Sequence, residues 1–430
     1  MNAVVSRPRA NVNAARLERR IADLAAVTDP QFPWSRTAFS PLHREGRVWL
    51  AREMASLGLS TAIDAGANLI GRLRGQRPEL APMATGSHSD TVPSGGRFDG
   101  AAGILVALEA LHAMRDAGIE LNHTLEIIDF LAEEPNQYGL SCIGSRAMVG
   151  ALTAADLQRT APDGTTLSEG MASMGGDPDG LDMPLRTQGD LSVFVELHIE
   201  QGRVLESGGL DIGVVTDIVG IRRLEVRMMG RADHSGATPM IMRADALAGA
   251  AEIIVGFERR AEAEKLAPLV ATVGKLNVIP NAANVVPGQV DFTLEVRAAT
   301  EAAIIGYLAD VTGEMQSIAE RRGLKLAAEM AGTNLPVKMS LMVQSAIAGA
   351  AEALGLRHQA MPSGAGHDAA FVARLCPVGM IFVPSKDGRS HCPEEYTSPS
   401  QLAAGAQVLL TTLLHLDTTL TRDAQLRNAQ

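Results

Sequence analysis

Only three cysteines occur in 430 residues, Cys142, Cys376 and Cys392, and none has the CxxC spacing of a structural zinc site. Odd in number and far apart, they are expected to be buried free thiols. Cys392 adjoins His391, but neighbours on an extended chain point in opposite directions. Positive charge is in deficit as well. Lys and Arg total 38 against 49 Asp and Glu, a net charge of −11, so a nucleic acid would have to bind against the field of the protein. No run approaches the roughly 18 apolar residues of a membrane span. The N-terminal MNAVVSRPRANVNAARLERR has no apolar core of the signal-peptide type, and the default expectation is a cytoplasmic protein. Aromatic residues make up 3% of a chain that is 46% hydrophobic and 20% charged. That composition is soluble and globular, with Ala- and Leu-rich helices.

The length is too great for one ordinary core and suits two domains, or one domain with a large insertion. From residue 44 to 216 strand and helix patterns alternate: a helix over Arg44 to Leu57, an apolar run at Met83 to Thr85, a helix over Ala102 to Met114. The runs Thr124 to Leu131 and Leu191 to Leu197 read as inner strands of a sheet covered on both faces. After Val215 the pattern changes. Val290, Phe292, Leu294 and Val296 alternate with Asp291, Thr293, Glu295 and Arg297, as on a one-faced antiparallel strand. Helix patterns at Ala244 to Glu264 and Glu301 to Arg322 complete a β-α-β-β-α-like order, a ferredoxin-like α+β unit at 217–333. From Ser340 the first pattern resumes, with a helix near Leu341 to Leu354, a strand at Gly379 to Val383 and a helix near Gln401 to Leu416. The expected fold is therefore α/β, with residues 1–216 and 334–430 forming a discontinuous domain into which 217–333 is inserted. Residues 161–190, rich in Gly, Asp and Pro, read as a long surface excursion.

Open α/β sheets gather their sites at the carboxyl ends of strands, and four polar clusters fall there. His88 and Asp90 follow the run ending at Ser87, Glu133 and Glu134 follow Leu131, His198 follows Leu197, and His391 follows the run through Val383. Histidine and carboxylate without thiolate suit Zn²⁺, Mn²⁺, Co²⁺ or Ni²⁺, and five or six such groups suit a pair of ions about 3.5 to 4 Å apart. Asp99 is the candidate bridge, since Gly95, Gly96 and Gly100 allow a tight turn toward His88. Asp90 is placed behind His88, fixing its tautomer. Any one of these clusters alone reads equally as a solvated surface feature; their shared position distinguishes them from His43, His112, His123, His358 and His415, which read as structural or exposed.

The ordered segments GSHSDTVPSGGRFDG, AEEPNQYGLSCIGSR, LHIEQG, RADHSGATPM, NVVPG, SGAGHDA and SHCPEEYT carry a resemblance. From about Trp34 to Ser398 the chain resembles the hydantoinase/carbamoylase family of dinuclear metal amidohydrolases, which includes N-carbamoyl-L-amino acid hydrolases, β-ureidopropionases and allantoate amidohydrolases. The resemblance implies a metallopeptidase-like catalytic domain with an inserted dimerisation or lid domain. It implies two divalent ions per subunit, one on His88, Asp99 and His198 and the other on Asp99, Glu134 and His391. Glu133 matches the general base, Asp90 the residue orienting the first histidine, and His234 a histidine that reaches the active site of the partner in a homodimer. Arg297 and Asn284 match positions that hold the substrate carboxylate, Gln201 a side chain near the ureido group, and Gly364 and His367 further substrate-binding positions. Without the family, Arg297 reads as a solvated residue on a sheet's open face.

Two departures bear on substrate. Many members read EEGSRF where this chain has Glu133 to Tyr138, placing Gln137 at the usual Arg, and NHAG where it has Asp233 to Gly236. The missing positive charge argues against a second anionic group on the substrate. The leading expectation is hydrolysis of an N-carbamoyl-L-amino acid to the amino acid, ammonia and carbon dioxide. Allantoate or another ureido acid, an aminoacylase or dipeptidase activity, and a catalytically silent binding protein are the alternatives. Peptidase-type members usually carry an acidic ligand where this chain has His198, which favours the ureido branch.

Overall fold

A computed structural model describes residues 10–264 and 269–428; residues 1–9, which open the N-terminal segment read above, lie outside the described residues. Two compact units are formed. The larger takes the chain up to Thr216, then Met339–Met361, then everything from Gly366. Its sheet centres on four mutually parallel strands in the order Leu125–Phe130, Met83–His88, Val193–Ile199 and Val378–Val383. Leu69–Leu73 and Ser60–Ile63 extend one side antiparallel, and Ile212–Ile218 flanks the other. All four central strands are buried along their whole length, as parallel strands covered on both faces are; Val378–Val383 is apolar throughout, whereas the others also bury Thr85, Ser87, His88, Glu126, Asp129, Glu196 and His198. The helices Ala101–Asp116, Leu341–Ala353 and Pro399–Asn428 provide part of that cover.

The smaller unit comprises Asp217–Lys338 with Pro362–Ala365. It extends past residue 333 because Val337 and Lys338 pair with Ile218 and Asp217. Its antiparallel sheet places Leu276–Ile279, Gln289–Ala298, Gly220–Met229 and Lys325–Asn334 side by side, with Leu269–Thr272 also on Gln289–Ala298. Val290, Phe292, Leu294 and Val296 pack beneath the helices Ala246–Ala263 and Glu301–Arg321, while Arg223, Arg227, Asp291 and Glu295 form ion pairs on the other face. The mixed α/β class and the mostly parallel central sheet expected from sequence are both observed.

The segment 161–190 is exposed over most of its length, as a surface excursion would be, but it is anchored at one place. Thr166 caps the short helix Leu167–Ser173 with a reciprocal Thr166–Glu169 pair, and Leu167, Met171 and Met174 are buried in a satellite core with Tyr138 and Ile143. Its apolar residues are too few and too widely spaced to stand out in sequence. Among the described residues no helix is long and apolar enough to cross a membrane.

Candidate metal centre

His88 is the last residue of Met83–His88, and His198 lies next to last in Val193–Ile199. Both rings are buried, and each has Nδ1 near a main-chain oxygen: Asp90 O at 3.0 Å for His88 and Ile199 O at 2.9 Å for His198. With Nδ1 donating there, the lone pair resides on Nε2, the nitrogen that faces the carboxylates. Asp99 sits just before the helix Ala101–Asp116. Its Oδ1 lies 3.2 Å from His198 Nε2 and 3.6 Å from His88 Nε2, and its Oδ2 lies 3.3 Å from His391 Nε2.

Two glycines make this turn possible. Gly100 adopts φ +61°, and a Cβ there would meet the His88 ring at 2.3 Å. Gly96, at φ +113°, would collide with the Glu395 carboxylate.

Glu134 Oε1 is buried and, among the described residues, accepts no hydrogen bond, although it stands 3.2 Å from His391 Nε2. Two donor groups result, His88–Asp99–His198 and Asp99–Glu134–His391, each with its ligand atoms within 4.8 Å of one another. Nitrogen and oxygen donors sharing one carboxylate, with a buried carboxylate oxygen left over, fit divalent ions of the zinc or manganese type. The charges show the same demand for a cation. Burial raises the Asp99 carboxyl, but His198 and His391 outweigh it and hold it well below its ordinary range. The Asp99 and Glu134 carboxylates push His391 up to about 10. For His198, burial is outweighed by Asp99, and the ring rises to about 9.

Glu133 is buried, with Oε2 3.7 Å from His88 Nε2; burial first, then the Glu134 and Asp368 charges, drive its carboxyl well above the usual range. A carboxyl that readily takes a proton beside a metal site is suited to general-base work. Asp90 differs from expectation in detail. His88 Nδ1 bonds its main-chain oxygen, and its carboxylate accepts the Glu133 and Glu134 amides at 3.2 and 3.1 Å. Asp90 thus fixes the loop that carries both glutamates.

Gln201 Nε2 donates to Asp99 Oδ2 at 2.7 Å. The buried His367 ring stands edge-on to His198, centroids 4.6 Å apart. On the smaller unit, exposed His234 receives the Gly236 and Ala237 amides on Nδ1 at 3.1 and 3.2 Å, and the Ser235 amide bonds Asn284 O. Arg297 gives Nε and Nη2 to Glu295 Oε1 and Nη1 to Gly364 O.

Sequence reasoning missed a supporting layer. Glu395 Oε1 accepts the Phe98 and Asp99 amides at 2.7 and 3.1 Å, and Ser390 Oγ bridges Asp99 Oδ2 and Glu395 Oε2. Buried Glu196 accepts from Ser87 Oγ and the Ala369 amide, and buried Asp368 accepts from Ser145 Oγ. The one available signal was the acidic pair in SHCPEEYT.

Residues 84–415 match the family described as peptidase family M20/M25/M40. The chain is 38% identical over 406 residues to an N-carbamoyl-L-amino acid amidohydrolase of Geobacillus stearothermophilus, covering 94% of this chain and 99% of that one. It is 36% identical to a ureidoglycolate hydrolase of Arabidopsis thaliana, covering 94% and 87%. A crystal structure of an amidase of the hydantoinase/carbamoylase family from Burkholderia multivorans superposes with a TM-score of 0.89 at 35% identity, covering 94% of this chain and 98% of that one.

Proposed function

Because the chain belongs to peptidase family M20/M25/M40, and within it to the hydantoinase/carbamoylase amidases, we propose that it hydrolyses the ureido C–N bond of an N-carbamoyl-L-amino acid. The enzyme is a metal-dependent hydrolase of C–N bonds other than peptide bonds. His88, Asp99 and His198 would hold one ion and Asp99, Glu134 and His391 the other. When bound, such ions polarise a carbonyl and acidify water. The protein does the rest. Glu133 takes a proton from the attacking water and returns it to the departing nitrogen. Asp90 keeps Glu133 and Glu134 in place through their amides. Arg297 and Asn284 take the substrate carboxylate, Gln201, Gly364 and His367 complete its binding, and His234 donates to the oxygen on which negative charge grows, serving the neighbouring subunit of a homodimer.

The ureido reading rests on the 38% identity to an N-carbamoyl-L-amino acid amidohydrolase and on His198, which stands 3.2 Å from the shared carboxylate where the family resemblance implies an acidic ligand in peptidase-type members. Ureidoglycolate and allantoate share the ureido group and carboxylate and belong in the same test. Metal-loaded protein is incubated with N-carbamoyl, N-formyl and N-acetyl amino acids, dipeptides, allantoate and ureidoglycolate, and amine and ammonia are measured. Equimolar amino acid and ammonia from N-carbamoyl-L-amino acids supports the proposal. Cleavage of acetyl or peptide substrates with no ureido turnover overturns it, and no turnover at all supports the silent scaffold.

A further inference from the structure

The three cysteines divide by position: Cys142 and Cys376 are buried and Cys392 is half-buried, all as free thiols. Cys142 alone touches the chemistry. Its Sγ lies 3.3 Å from Glu133 Oε1, on the opposite oxygen from Oε2, which faces His88 Nε2 at 3.7 Å. Three amides tie the two segments together: Cys142 to Glu133 O at 2.9 Å, Ile143 to Ala132 O at 3.1 Å and Gly144 to Leu131 O at 2.8 Å. Cys142 also adopts φ +55°, left-handed backbone that a residue with a Cβ rarely takes, and such strain gathers where the surrounding structure imposes a conformation.

From this geometry we infer that Cys142 is a positioning residue for Glu133: its thiol donates to Oε1 and leaves Oε2 directed at the metal side. A carboxylate has two equivalent oxygens and a broad terminal torsion; without a donor on one of them, a buried base turns between several orientations, of which one serves the water. A thiol is a weak donor, so it fixes the carboxylate's orientation with little loss of its capacity to accept a proton. The role concerns orientation alone and rests on the reading of Glu133 as the base.

The test uses full-length, metal-loaded protein and three variants. Cys142→Ala should lower kcat roughly tenfold with KM, metal content and melting temperature unchanged, and Cys142→Ser, which keeps a donor, should restore most of that loss. The infrared S–H stretching band lost in Cys142→Ser is assigned to Cys142. In the wild type it should lie below the frequency of an unbonded thiol, and it should move in Glu133→Gln. A band at the unbonded position, or one that folded Glu133→Gln leaves in place, overturns the inference even if Cys142→Ala folds poorly. So does wild-type kcat in Cys142→Ala. Should Glu133→Gln itself keep full turnover, the reading of Glu133 as base fails, while the infrared band still reports on the thiol contact independently.

Discussion

Asp99 presents Oδ1 to His198 Nε2 at 3.2 Å, and its second oxygen lies 3.3 Å from His391 Nε2. One carboxylate thereby belongs to both donor groups, and the surrounding charges follow from it. What holds Asp99 in that position comes from distant parts of the chain, the glycine turn before the helix Ala101–Asp116 and Glu395 beneath it.

Asp90 accepts two adjacent amides with its two oxygens. In Asp90→Asn one oxygen becomes an amide donor and opposes an N–H, so the Glu133–Glu134 loop should loosen. Metal affinity measured by equilibrium dialysis is expected to fall roughly 10- to 100-fold, with kcat falling alongside. Unchanged affinity would remove Asp90 from the support of the centre.

Arg297 spends Nε and one hydrogen of Nη2 on Glu295 and one hydrogen of Nη1 on Gly364. One N–H on each terminal nitrogen remains for a carboxylate. Lysine cannot form that fork. Arg297→Lys is expected to raise KM roughly tenfold or more for the carboxylate substrate, with a smaller change in kcat; an unchanged KM would assign Arg297 to the ion-paired sheet face alone.

His43 is fully buried, and its Nδ1 accepts the Phe39 amide at 3.3 Å. Burial, then the Arg47 and Arg36 charges, press it well below its ordinary value. The native ring stays neutral where the unfolded one, with a pKa near 6.5, takes a proton. Its contribution to stability is therefore complete above about pH 6.5 and is lost as pH falls below it, at up to about 1.4 kcal/mol per pH unit. Denaturant melts of wild type and His43→Gln between pH 5 and 8 should show the wild type losing more stability toward acid; parallel curves would contradict this.

Arg47 Nε pairs with Asp129 Oδ2 at 2.9 Å, and Nη2 donates to Ala67 O at 2.7 Å, all in buried surroundings. Arg47→Met strands the Asp129 charge. Urea unfolding is expected to show a loss of about 3–5 kcal/mol, and the double variant that also replaces Asp129 with Asn should recover part of it.

Where burial is two-sided, the sequence was readable. Leu125–Phe130 and Val193–Ile199 are mostly apolar, broken by Glu126, Asp129, Glu196 and His198; His88, His198, Glu133 and Glu134 stand at or just past the ends of such strands, and His391 comes after the loop that follows Val383. Gln289–Ala298 alternates strictly and was equally plain. Lys325–Asn334 gives no such signal, because it is an edge strand exposed over most of its length. The supporting layer was hidden for another reason. Glu395 and Asp99, or Asp368 and Ser145, meet across 296 and 223 residues of chain, and no local pattern encodes such a contact. The Asp90 contact to the glutamate amides was likewise invisible, since main-chain partners leave no mark on residue type.

Metal stoichiometry tests the shared-carboxylate account most directly. Protein purified gently and reloaded with Zn²⁺ or Mn²⁺ should carry close to two ions per chain by elemental analysis. His391→Ala should lose one ion, Asp99→Ala both, and Glu133→Gln neither, although Glu133→Gln loses turnover by orders of magnitude. One ion per wild-type chain, or two retained in Asp99→Ala, would contradict the account.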